Sequence, residues 1–142
     1  MSFKFSTELR VRLPETDALG IVYHGNFYTY FDVARMDYVR NLGLMEFLLS
    51  PSGANVLVHA SADFRSPARF DDILVVEARL SAIGETSFTF LFRVVHKEEA
   101  RLVAEGTSVH VSIDPRTWAR VRVPEEFRRK VRQFEGADLS ER

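Results

Sequence analysis

The sequence predicts an α+β fold in which an antiparallel sheet wraps around one long helix. Three patterns carry that expectation: an opening strand-like alternation, one helix-period segment with a wide apolar arc, and further alternating runs that meander toward the C-terminus. The 142 residues, 46% hydrophobic and 27% charged, suit one domain with a real core, read here as residues 1–142.

The first strand is expected over residues 3–13. There Phe3, Phe5, Thr7, Leu9, Val11 and Leu13 alternate with Lys4, Ser6, Glu8, Arg10 and Arg12. Such period-two alternation buries one face, and Pro14 ends it by removing a backbone donor. Over residues 26–42 the period becomes helical. Phe27, Phe31, Ala34, Tyr38 and Leu42 share one side, and Tyr28, Tyr30 and Val39 widen the arc beyond a surface stripe. A helix of that kind is embraced by a sheet. Gly43 is placed to end it in a left-handed conformation, with Leu44 closing the cap. A short helix over 44–49 follows before Ser50-Pro51-Ser52-Gly53 breaks the chain.

The remainder reads as strands. Val56, Val58, Ala60, Ala62 and Phe64 alternate with polar residues. Leu74 to Leu80 and Phe88 to Val94 form two more runs, joined by a hairpin at Ile83-Gly84-Glu85-Thr86. Residues 103–113 follow the Lys97-Glu98-Glu99 turn. Val121 and Val123 are expected to extend the sheet, and Pro124 to open a short charged helix. A sheet with a lone helix leaves open edges, and pairing with another copy is the usual cover, so a homodimer, or a dimer of dimers, is expected.

Composition excludes several functions. The net charge is −1 and no long basic run exists, so nucleic-acid binding is not expected. The absence of cysteine excludes disulfides, thiolate metal sites and a cysteine nucleophile. No metal site or other cofactor is expected, since His24, His59, His96 and His110 lack helical pair spacing for zinc. No apolar stretch approaches the roughly 18 residues of a membrane span. Residues 1–5 alternate where a signal peptide carries an apolar block, so the expected location is cytoplasmic. Phosphate-binding glycine loops, dinucleotide fingerprints and the Gly-x-Ser-x-Gly elbow are missing.

The chemistry concentrates between the first strand and the long helix, in Glu15-Thr16-Asp17-Ala18-Leu19-Gly20-Ile21-Val22-Tyr23-His24-Gly25-Asn26-Phe27. Asp17 lies just past the strand, Gly20 allows a tight turn, and the helix is expected to begin near His24. A helix start offers unsatisfied N–H donors and a positive dipole end, which suit a developing oxyanion. A turn alone also explains Asp17, because the aspartate side chain bonds the backbone two residues on.

Asp17-x-x-Gly20-Ile21-Val22-Tyr23-His24-x-Asn26-Phe27-x-x-Tyr30-Phe31-x-x-Ala34-Arg35 closely resembles the signature of the 4-hydroxybenzoyl-CoA thioesterase family of hotdog-fold proteins. It is most similar to the branch of small bacterial acyl-CoA thioesterases found with the Tol-Pal envelope system. Asp63-Phe64-Arg65-Ser66-Pro67-Ala68-Arg69-Phe70-Asp71-Asp72 resembles the exit of that family's second strand, and the element order agrees from about Phe5 to Val123. The resemblance implies hydrolysis of acyl-CoA, with Asp17 as nucleophile or general base and the backbone N–H at His24 polarising the thioester carbonyl.

The His24 ring is a further candidate for orienting substrate or water, and Tyr23 for lining the acyl pocket. The phosphates of coenzyme A call for arginine near the entrance, which makes Arg65 and Arg69 candidates, with Ser66 and His59 beside them. Each has a plainer reading as surface or core. Arg35 falls inside the apolar arc of the long helix and must find a carboxylate or carbonyls there. Two other functions remain open: hydration or dehydration of acyl thioesters on the same fold, for which His24 is the argument, and acyl-CoA binding without catalysis.

Overall fold

The computed structural model describes residues 2–142; Met1, which opens the N-terminal alternation, lies outside them. In chain order the elements are β1 (Phe5–Arg10), α1 (Asn26–Asn41), α2 (Met45–Leu49), β2 (Asn55–Phe64), β3 (Ile73–Ile83), β4 (Ser87–His96), β5 (Leu102–Ser112), α3 (Glu125–Glu135) and β6 (Ser140–Glu141). The main strands lie in the order β1-β3-β4-β5-β2, each antiparallel to its neighbour. The short β6 runs parallel to the end of β3. The sheet wraps α1, which is the hotdog arrangement the resemblance implies.

Alternation builds the wrapped face. Leu74, Val76, Ala78 and Leu80 of β3, with Phe88, Phe90, Phe92 and Val94 of β4, are buried against Phe27, Phe31, Ala34 and Tyr38 of α1. Phe31 stacks on Phe92 at 4.8 Å between ring centroids, and Tyr38 meets Phe90 edge-on at 5.3 Å. Each fully buried aromatic ring contributes about 1.5–3 kcal/mol. This seam, more than intrinsic helix propensity, therefore holds α1 in the sheet.

The C-terminus of α1 ends as its sequence requires. Gly43 has φ +70°, its N–H donates to Arg40 O, and the Leu44 N–H reaches back to Val39 O. Those two bonds define a Schellman cap, and the fully buried Leu44 supplies its apolar contact.

Two expectations need correction, and two elements go beyond the sequence reading. The first strand covers only Phe5–Arg10, because residues 13–15 coil into a 3-10 turn where Leu13 is exposed. Val121 and Val123 do not add a strand: the only ladder contact there is an isolated bridge between Ile113 and Arg120. Their N–H groups instead bond Ser112 O and Glu85 O singly. Pro124 does open a C-terminal helix, and α3 also buries Phe127, Arg128, Val131 and Glu135. Finally, β6 had no alternation to announce it, being two residues long. Among the described residues no helix is long and apolar enough to cross a membrane.

Candidate active site

The segment between β1 and α1 folds back on itself. Asp17 N–H donates to Ile21 O and Tyr23 N–H to Glu15 O, both at 2.9 Å, around a Thr16–Val22 bridge. On its other side Val22 N–H donates to Ala68 O at 2.8 Å, and Ile21 bridges to Arg69. Residues 21–22 thus lie between the β1 exit and the chain leaving β2. A cleft of about 450 Å³ opens there, lined by Asp17, His24, Arg65 and Ser66 together with apolar side chains that include Phe27 and Phe64.

Asp17 is exposed. Its Oδ1 accepts the Leu19 N–H at 2.9 Å, so the turn role read from Asp-x-x-Gly is present. Its Oδ2 has no hydrogen-bond partner among the described residues, and one oxygen is left for chemistry. Opposite lies the start of α1, where no side chain caps the helix. The N–H groups of Asn26, Phe27 and Tyr28 turn back to Tyr23 O, His24 O and Gly25 O. Those of His24 and Gly25 make no hydrogen bond among the described residues, leaving two adjacent open donors. An anion is favoured at such a position.

The outer side of this turn is covered by Tyr23, whose ring lies 4.3 Å from that of His24. A Cβ on Gly25 would fall 2.8 Å from the Tyr23 ring, so glycine is what allows the ring to fold over the helix start. The His24 ring points the other way as well, edge-on to Phe64 at 6.2 Å. Phe27 lies 5.5 Å from Phe64 and forms the apolar floor.

The wall opposite the helix start comes from residues 65–68. Arg65 and Ser66 both donate their N–H to Val103 O, at 2.8 and 3.2 Å. Ser66 Oγ donates to Leu102 O at 2.7 Å and accepts from Arg101 Nη1 at 2.9 Å. The Ser66 hydroxyl is therefore committed to holding the wall. Arg65 is exposed, with a loose contact to Glu105 at 3.3 Å.

Of the seven candidate residues, the structure brings Asp17, His24, Arg65 and Ser66 to one cleft. Tyr23 is half exposed behind the helix start, Arg69 lies at the far end of the wall, and His59 is exposed on β2 beyond a register shift at Leu57/His59. None of these three lines the cleft.

Sequence reading missed the role of Glu15. Its carboxylate accepts the Arg12 N–H at 2.9 Å, the Arg12 guanidinium at 2.8 and 2.9 Å, and the Tyr30 hydroxyl at 2.9 Å. Partial burial acts to raise its pKa, but the Arg12 backbone and guanidinium bonds, with that of Tyr30, hold it below the ordinary carboxylate value. Burial, reinforced by donation to Glu15, pushes the Tyr30 phenol upward, so its hydroxyl stays a donor. Arg35 finds the carboxylate it needed in Asp32, at 3.3 Å.

A second cleft of about 420 Å³ adjoins Arg10, Asp72, His96 and Lys97. Its histidine is already engaged: His96 Nδ1 accepts the Glu99 N–H at 3.0 Å, and Nε2 lies 3.4 Å from Asp72 and 3.3 Å from Glu99. Among the described residues no group of three or more His, Asp or Glu side chains is placed to ligate a metal ion.

The sequence profile of the Thioesterase-like superfamily matches residues 11–131, which include the whole cleft. The acyl-CoA thioester hydrolase YbgC of Escherichia coli is 30% identical over 112 residues, covering 78% of this chain and 83% of that protein. The 1,4-dihydroxy-2-naphthoyl-CoA hydrolase of Nostoc punctiforme is 31% identical over 129 residues, covering 89% and 84%. Among solved structures, a 1,4-dihydroxy-2-naphthoyl-CoA thioesterase from Synechocystis superposes with a TM-score of 0.84 at 26% identity, over 92% of this chain and 97% of that one.

Proposed function

The chain belongs to the thioesterase-like superfamily, and from that premise we propose that it hydrolyses acyl-CoA thioesters to free acid and coenzyme A. The observation that carries this reading is the pairing, in one cleft, of a carboxylate oxygen without a partner on Asp17 with His24, whose open backbone donor is followed by that of Gly25.

In this reading the thioester carbonyl oxygen points at the His24 and Gly25 N–H groups. As a general base, Asp17 takes a proton from water while the water oxygen bonds the carbonyl carbon. The negative charge that develops on the carbonyl oxygen falls where the two donors converge. Collapse breaks the carbon–sulfur bond, and the proton passes to the departing thiolate. As a nucleophile, Asp17 would itself bond the carbonyl carbon and expel the coenzyme A thiolate as the carbon–sulfur bond breaks; water would then open the mixed anhydride, restoring the Asp17 carboxylate and releasing the acid. Both routes start from the same arrangement.

The apolar floor of Phe27 and Phe64 receives the acyl group, and the His24 ring orients the thioester beside it. Coenzyme A is longer than the cleft. We assign its phosphates to Arg65 and Arg69, with Ser66 holding the wall between them and Tyr23 and His59 at the outer rim. The open edge of β2 carries exposed Leu57, Val58 and Phe64, which supports a homodimer paired along that strand, next to the cleft. We read residues 1–142 as one thioesterase domain acting in the cytoplasm.

The test is thiol release from acetyl-, butyryl-, hexanoyl-, palmitoyl- and benzoyl-type CoA esters, with Asp17→Asn beside the wild type and sedimentation at micromolar concentration on the same samples. Release that Asp17→Asn lowers by ~10²-fold or more supports the reading. No release from any ester, or equal release by Asp17→Asn, sinks it. Loss of enoyl absorbance from crotonyl-CoA without thiol release would favour hydration instead.

A further inference from the structure

Two motif residues of α1 have no part in the reaction as proposed. Asn26 and Tyr30 stand four residues apart, hence on one face of the helix, and both bond residue 15. Asn26 Nδ2 donates to the Glu15 carbonyl at 2.8 Å, and the Tyr30 hydroxyl donates to Glu15 Oε1 at 2.9 Å. The same carbonyl accepts the Tyr23 N–H at 2.9 Å, while the Arg12 N–H donates to Glu15 Oε1 and its guanidinium to Oε2. Tyr30 is 2% exposed, and Glu15 and Asn26 are partly buried, so water competes weakly for these bonds. Glu15 lies two residues before Asp17, and Asn26 directly follows the open donors. Any slide or rotation of the first turn of α1 that displaced those donors from Asp17 would break one of the two bonds.

We propose that Asn26 and Tyr30, acting through Glu15, form a two-point clamp that fixes the His24 and Gly25 donors relative to the Asp17 carboxylate. This inference rests on the hydrolysis proposed above. The three are positioning residues. Oxyanion donors act only when aimed at where the charge develops, and a displacement of about 1 Å can lower turnover by ~10²-fold. The aromatic seam fixes α1 from Phe27 onward, whereas the polar side of its first turn has no capping side chain and relies on these bonds.

Asn26→Ala, Asn26→Asp and Tyr30→Phe separate a clamp from mere stabilisation. Asn26→Asp keeps the shape but loses the N–H donor, and Asn26→Gln restores it on a longer stem. Thiol release is measured below the melting temperature of each variant, with folding checked by circular dichroism. The clamp lowers kcat by ~10–100-fold with little change in KM. Asn26→Asp behaves like Asn26→Ala, and Asn26→Gln recovers part of the rate. Tyr30→Phe also removes a donor that keeps Glu15 ionised, so its kcat falls at a higher pH than that of the wild type as the solution is acidified.

Variants that melt earlier but keep the wild-type kcat and pH profile when folded overturn the clamp. Asp17→Asn, run alongside, separates the two ideas. If Asp17→Asn hydrolyses like the wild type, the catalytic reading fails; if it is inactive while the Asn26 and Tyr30 variants turn over normally, only the clamp fails.

Discussion

The two ends of α1 treat their polar groups in opposite ways. At the N-terminal end two backbone donors and one carboxylate oxygen are left without partners beside an open cleft. At the C-terminal end the groups are consumed by α3 and the residues around it. Lys130 Nζ donates to Leu42 O at 3.3 Å, and the Tyr38 hydroxyl donates to Glu135 Oε2 at 2.5 Å, which also accepts the Leu80 N–H. Earlier in α3, the fully buried Arg128 side chain donates to the carbonyls of Val123, Gly84, Glu85 and Arg142 and contacts the Glu141 carboxylate. Among the side-chain nitrogen and oxygen atoms of the described residues, only Arg79 Nε and Glu135 Oε1 are buried without a partner. The contrast follows from water. A buried group must find its partner in the protein, whereas a donor that water can reach stays open at little penalty until a substrate replaces the water.

That division predicts mirror-image variants. Asp17→Asn keeps an oxygen for the Leu19 N–H, so it should lower thiol release by ~10²-fold or more while changing stability by no more than about 0.5 kcal/mol. Arg128→Ala should do the reverse. It leaves several carbonyls and a carboxylate without their cation, a loss of about 3–5 kcal/mol, yet the folded fraction should turn over normally. Denaturant titration and thiol release on the same preparations give both numbers. Strong destabilisation by Asp17→Asn, or inactivity of folded Arg128→Ala, would break the comparison.

A second effect lies between the two ends. His110 is buried on β5, with Nε2 3.0 Å from Ser108 Oγ and its ring stacked 5.2 Å from Phe88. Burial, with the Arg35 charge adding to it, pushes its pKa from 6.5 down to about 4. The unfolded chain therefore binds a proton at a pH where the folded chain does not. The resulting stability is complete above pH 6.5 and declines as pH falls toward 4, by on the order of 3 kcal/mol. His110→Phe should flatten the decline between pH 6.5 and 4.5 in denaturant midpoints. An unchanged slope would mean that other groups produce it.

The two ends were not equally legible in the sequence. Period-two and helical alternation report which face is buried, so α1, its Gly43 cap and the four strands after it emerged with boundaries close to those observed. Local chain geometry likewise places Asp17 and His24 together, since a turn and a helix start are seven residues apart. The structure also seats Arg65 and Ser66 in that cleft, because the chain leaving β2 pairs with residues 21–22. What alternation does not report is which distant backbone a polar side chain will meet. Nothing local in the sequence announces the burial of Arg128 and Glu135, because their partners lie 44 and 55 residues away in β3 and its hairpin. Glu15 drew no assignment from the sequence because its bonds to Asn26 and Tyr30 exist only once α1 docks. His59 and Arg69 share segments with cleft residues but do not line the cleft, and a register shift in β2 carries no sequence mark.

Tyr38→Phe offers the smallest and most selective test. The ring contacts with Phe5, Phe90 and Phe134, at 5.7, 5.3 and 5.6 Å, do not involve the hydroxyl and survive the change. Burial, together with donation to Glu135, pushes the Tyr38 phenol upward, so the wild-type hydroxyl remains a donor. Its loss leaves Glu135 Oε2 with the Leu80 N–H alone, and a bond of this kind contributes about 2 kcal/mol. The effect should be local. Hydrogen exchange should quicken in α3 and β6, which Glu135 and its neighbours fasten to β3, while the turn at residues 23–30 keeps its protection. Equal loss of protection at both ends would show that α1 transmits the disturbance along its length, and the open donors would then depend on the closed end as well as on Glu15.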